Sequence, residues 1–188
     1  MKKSEQLKVI YDEIDKKRTR HIEILLKIND TELRLLKGHL LIEEILYELI
    51  QEKMKKASVI DKARFTFAQL LALVEGLYYE DELYEPWIYA ATKNLNKIRN
   101  KLAHNTEPDT INHEVQLFYD FVISNNHQSN DVIPHPLLYS LGSIYGTFAG
   151  MLGLEKKLSL LPNITASFPF KTKLLASKLI HSGEYDEF

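Results

Sequence analysis

Through the first 85 residues, apolar side chains recur every three or four positions, the spacing of α-helices with one buried face. Leu7, Tyr11, Ile14, Arg18, His21, Leu25 and Ile28 form one such stripe and predict a first helix over about 4–28. Asn29-Asp30-Thr31 then supplies a turn and an N-cap. A second helix is predicted from about Glu32 to Lys55, with Leu35, Ile42, Ile45, Leu46 and Leu49 on one face. Gly38 lies on that face, where a neighbouring backbone can come close. Ser58 or Asp61 is the expected cap of a third helix carrying Phe65, Leu70, Leu73, Val74 and Leu77, ending near Gly76 before the acidic Glu80-Asp81-Glu82 loop. Pro86 suits the first turn of a fourth helix. Trp87, Ile88, Ala91, Leu95, Ile98 and Leu102 line its apolar face to about His104-Asn105. A fifth begins near Pro108 and holds Val115, Leu117, Phe118, Phe121 and Val122.

Past Asn125 the pattern changes. A polar loop, Asn125–Asp131, precedes Pro134 and Pro136, and from Val132 to Leu154 no Asp, Glu, Lys or Arg occurs. Gly142, Gly146 and Gly150 stand four apart there, a small-residue face for close helix packing. Ser140, Ser143, Thr147, His135 and the tyrosines make 132–154 weakly apolar for a membrane span, so a buried or interfacial helix is the favoured reading. One more short helix is expected near Lys171–Ile180, in the tail after Pro162 and Pro169. The whole predicts an all-α, single-domain bundle of about five to seven helices over 1–188.

Composition narrows the chemistry. The chain has no cysteine, which removes disulfides, a thiolate nucleophile and cysteine-bound metal. No apolar leader follows Met1, so the expected location is the cytoplasm. Twenty-four Lys+Arg against 26 Asp+Glu gives a net charge of −2, which argues against a nucleic-acid coat protein. That balance is an average over blocks. Residues 75–85 hold five acids and no Lys or Arg, whereas 86–106 hold Lys93, Lys97, Arg99 and Lys101 with no acid.

The basic block ends in Lys97-Ile98-Arg99-Asn100-Lys101-Leu102-Ala103-His104-Asn105. An arginine fork matches phosphate oxygens, and histidine donates and accepts protons near neutral pH. Residues five apart on a helix are about 140° apart around the axis and ~7.5 Å along it. Arg99 and His104 therefore meet only if His104 lies past the helix end and swings back, or if two copies of the motif face each other. Asn100 and His104, four apart, share a side. The same residues also serve as ordinary partners of a helix C-terminus.

The string Leu95–Asn105 resembles the signature of the HEPN superfamily, all-helical proteins of bacterial conflict systems and RNA processing. Gly38-His39-Leu40-Leu41-Ile42-Glu43-Glu44 in a long helix and Ala63-Arg64-Phe65-Thr66-Phe67 opening the next are also similar to members of this group. The resemblance covers about 31–124, leaving an N-terminal helix over about 4–28 and a helical extension over about 135–188. It implies a metal-independent endoribonuclease, a toxin or a defence or RNA-processing effector. Such an enzyme acts as a homodimer with both motifs in an interface cleft and uses no cofactor. By that likeness Arg99 binds the scissile phosphate, His104 is general acid or base, Asn100 is accessory, and the RNA 2′-hydroxyl attacks. Lys93, Lys97 and Lys101 are then RNA contacts, and His39, Glu43 and Asn105 accessory candidates.

An antitoxin or regulatory protein is an implied partner. Thr106 stands where one toxin subgroup has a tyrosine, which counts against regulation by modification there. The alternative is a non-catalytic helical module that binds protein or RNA. No His-Glu-x-x-His or nucleotide-loop pattern appears, so neither a metal nor a nucleotide cofactor is expected.

Overall fold

The computed structural model describes residues 3–54, 63–79, 85–104, 108–126, 133 and 135–160. Within them the chain folds as six helices: α1 (Lys3–Leu26), α2 (Thr31–Lys53), α3 (Phe67–Tyr78), α4 (Pro86–His104), α5 (Pro108–Asn126) and α6 (Pro136–Ser159). It is an all-α bundle. The expected helix at 171–180 and the caps Ser58 and Asp61 lie outside the described residues.

Local chemistry sets the helix ends. The Asp30 carboxylate accepts the Leu33 N–H at 2.7 Å and starts α2. Arg34 reaches back to the carbonyls of Leu25, in the last turn of α1, and of Ile28, in the turn that follows it. α3 begins later than the apolar spacing suggests. Thr66 and Gln69 form a capping box, with the Gln69 N–H on Thr66 Oγ1 and the Thr66 N–H on Gln69 Oε1. Phe65 therefore precedes the helix and packs on the core from its partly buried position.

α2 and α6 form the centre. α2 contacts α1, α3, α4 and α6, while α6 contacts α1, α2, α4 and α5. Their buried faces are correspondingly wide: Leu35, Ile42, Ile45, Leu46, Leu49 and Ile50 on α2, and Leu141, Ile144, Phe148 and Leu152 on α6, are all fully buried. α6 is long and apolar enough to cross a membrane by length and composition, and 56% of its most apolar stretch is buried inside the bundle.

Glycines allow this packing. A Cβ at Gly38 would fall 2.6 Å from Leu141 Cδ1, so the close approach predicted at Gly38 is to a side chain of α6 rather than to a backbone. The stripe on α6 faces α1: Gly142 abuts Ile22, Gly150 abuts Arg18, and Gly153 abuts Ile14. Arg18 Nη2 donates to the Gly146 carbonyl at 2.9 Å, an exposed bond between α1 and α6. The buried face of α1 runs through Ile10, Ile14, His21 and Leu25, with Tyr11 turned to its edge under Lys157.

His21 is 2% exposed and stacks on Tyr145 with ring centroids 4.0 Å apart. Burial pushes its pKa down to about 4, the Leu141 backbone opposing only in part. The unfolded chain therefore takes up the His21 proton first as pH falls. Stability contributed by the neutral form is complete above about pH 6.5 and declines until about pH 4, by about 3 kcal/mol in full. Urea midpoints at pH 7 and pH 4.5 should separate by less in His21→Phe than in the wild type. An equal separation would show that His21 is not the acid-sensitive group.

Candidate functional site

α2 and α4 lie side by side, and the first turn of α3 closes the space between them. The result is a cleft of about 410 Å³ lined by His39 and Glu43 of α2, Thr66, Phe67 and Ala68 at the start of α3, and Asn96, Arg99 and Asn100 of α4. His39 and Glu43 are one helical turn apart, as are Asn96 and Asn100, so each helix presents one face to the cleft.

At the cleft's inner wall, His39 is only 3% exposed. Its Nε2 lies 3.1 Å from Asn96 Oδ1, and its ring stacks on Phe67 at 3.9 Å between centroids. A carboxamide oxygen only accepts, so Nε2 carries the proton and Nδ1 holds a lone pair with no partner among the described residues. Burial lowers the pKa of His39, the Asn96 bond opposes this, and the Arg99 charge lowers it further. The imidazole is therefore neutral at pH 7. Burial raises the Glu43 carboxyl, against the pull of Arg99.

Arg99 is exposed, and its Nη1 donates to Asn100 Oδ1 at 3.0 Å. No carboxylate among the described residues pairs with it. A guanidinium bound only to a neutral amide keeps most of its donors for an anion.

The other sequence candidates fall elsewhere. α4 stays helical through His104, so His104 does not swing back toward Arg99; it is exposed, away from the cleft of its own chain. No hydrogen bond joins Asn100 to His104 among the described residues; the Asn100 oxygen takes the Arg99 proton instead. Lys93 pairs with Glu75 of α3 at 2.8 Å, and Lys101 pairs with Glu114 of α5. Lys97 and Lys101 line a separate, smaller hollow against α5 with Leu117 and Phe118. Asn105 lies outside the described residues. Among those residues no three His, Asp or Glu side chains gather as a metal-binding set.

Asn96 was visible within the basic block but carried no role there. The signal was its spacing, three before Arg99 and four before Asn100, which puts it on their face of α4. Comparison with protein-family models, curated proteins and solved structures finds no match for this chain.

Proposed function

We propose that this protein is a metal-independent endoribonuclease of HEPN type, acting in the cytoplasm as a homodimer and serving as a toxin or a defence or RNA-processing effector. The observation that carries the reading is the Arg99 guanidinium, free of carboxylate partners among the described residues, at a polar cleft beside Asn100, Asn96 and His39. Such a group binds the scissile phosphate and offsets the charge that builds on its oxygens. The 2′-hydroxyl attacks the adjacent phosphorus and the P–O5′ bond breaks, leaving a 2′,3′-cyclic phosphate and a 5′-hydroxyl. One group removes the 2′ proton and another delivers one to O5′. His104 of a second copy supplies one of these transfers across the dimer, because five helical residues keep it from the Arg99 of its own chain. An antitoxin-like partner would act by covering this cleft.

Purified wild type is expected to cut RNA with chelator present, leaving cyclic-phosphate ends. Intact RNA at stoichiometric protein would remove the nuclease reading, and inhibition by chelator would remove its metal-free form. Mixing inactive Arg99→Ala with inactive His104→Ala tests the shared site. Random re-pairing restores about a quarter of wild-type activity if each site takes Arg99 from one copy and His104 from the other. No recovery, with mixed dimers verified, would place both residues within one chain's site.

The second reading is a binding module without catalysis. It is favoured by the position of His104 outside the cleft of its own chain, which leaves the phosphate-binding face without an exposed histidine beside it. RNA binding without cutting is its signature.

A further inference from the structure

We propose that Asn96 is a second phosphate-binding residue of the Arg99 cleft, its amide aimed by the buried His39 imidazole, with the first turn of α3 as the third side of the same anion site. The proposal rests on reading the cleft as a phosphate site, and it does not depend on cleavage.

The geometry works by elimination at each polar atom. His39 Nε2 donates to Asn96 Oδ1, which anchors the carboxamide with its oxygen turned to His39. With the oxygen held by His39, the NH₂ group is what Asn96, a lining residue, offers an anion in the cleft, two donors. His39 is itself immobilised by stacking on Phe67 and by near-complete burial, so it holds Asn96 in one rotamer. Arg99 stands less than one turn along α4, with its own donors on the same side.

α3 begins beside the His39–Asn96 pair, with Phe67 stacked on His39. Its capping box satisfies the N–H groups of Thr66 and Gln69, while those of Phe67 and Ala68, in the first turn, have no carbonyl within their helix. Both residues line the cleft. The positive end of the α3 dipole therefore adds to the Arg99 charge. Glu43 is the single acid among the lining residues, and its raised pKa makes it easier to protonate as an anion enters. Three sets of N–H donors around one space suit a tetrahedral oxyanion, the phosphate of an RNA backbone.

A fluorescent 2′-O-methyl RNA oligonucleotide, which lacks the attacking hydroxyl, reports binding alone by anisotropy across a salt series. Asn96→Ala is expected to bind about tenfold more weakly. Its log–log salt slope should match the wild type, because the lost group is neutral. Arg99→Ala should weaken binding and also flatten the slope by about 0.7. Asn96→Asp keeps an oxygen for His39 to bond, preserving the fold, yet replaces the donors with a carboxylate; it should bind more weakly still. His39→Phe should bind like Asn96→Ala, and His39→Gln, which keeps a donor near the Nε2 position, should recover much of the loss.

Wild-type affinity in both Asn96 variants would overturn the proposal. Should the wild type cut RNA in that case, the nuclease reading stands and only the role of Asn96 falls. If the wild type binds the oligonucleotide through Asn96 but cuts nothing, the anion site stands and the nuclease reading falls.

Discussion

Arg99→Lys should lower RNA cleavage about a hundredfold while leaving the melting temperature almost unchanged. The fold is indifferent because Arg99 is exposed and its one hydrogen bond goes to the neighbouring Asn100; surface changes of this kind shift stability by about 0.5 kcal/mol or less. Under the proposed nuclease function, catalysis is not indifferent. A guanidinium offers donors in two directions from a rigid plane and bridges two phosphate oxygens, whereas an ammonium is a point charge on a flexible stem. Lysine also loses the fixed bond to Asn100 Oδ1 that holds the fork in place. Arg99→Ala removes the charge as well and should be worse by a further order of magnitude, consistent with loss of a preorganised donor pair. Single-turnover cleavage measured beside thermal melts decides the matter. Lysine acting as well as arginine would mean that the cleft needs only positive charge. Alanine acting as well would remove Arg99 from the site.

Apolar spacing was a good guide wherever a helix has one buried face. Pro86 and Pro108 open α4 and α5 where the sequence pattern places them, and Asp30 caps α2 as its side chain suggests. The start of α3 went astray because Phe65 fits the apolar stripe, although the Thr66-x-x-Gln69 pair is the stronger signal. The glycine spacing of α6 announced a close-packed face, but not that α1 would occupy it with Ile14, Arg18 and Ile22. That depends on tertiary placement, and likeness to a family ending near residue 124 gave no hint that α6 is central.

The candidate site shows the same division. Arg99 and Asn100 are legible from residue type and order. His39 and Glu43 stand out through the family likeness, one turn apart on α2, yet their nearness to Arg99 comes from helix packing across the 57 positions that separate His39 from Asn96. The lysines misled in another way. A basic block in sequence is not a basic patch in space when successive residues turn about 100° around a helix. Lys93 and Lys101 consequently meet Glu75 and Glu114, on two different neighbouring helices, and Arg99 alone of the four block cations lines the cleft.

Leu141→Ala should destabilise the protein by about 2–5 kcal/mol, a large share of the 5–15 kcal/mol that typically holds a domain of this size. Leu141 is fully buried on α6 and fills the notch that Gly38 leaves on α2, so its truncation opens a void between the two central helices. Gly38→Ala meets the opposite problem. Its new methyl would sit 2.6 and 2.8 Å from the two Leu141 methyls, and those cannot swing into solvent because Leu141 has none to reach. Overpacking costs about 1–3 kcal/mol, while replacing a mid-helix glycine by alanine returns about 1 kcal/mol of helix propensity, so the single change is expected to be neutral to moderately destabilising. In the Leu141→Ala background the clash is gone and the propensity gain remains, and the added methyl fills part of the void. There Gly38→Ala should stabilise by about 1 kcal/mol or more. The two changes thus couple by at least 1 kcal/mol, measured as urea midpoints at constant m-value in a double-mutant cycle. Additive effects would mean that Gly38 and Leu141 do not meet, and that α6 is not seated against α2 at this notch.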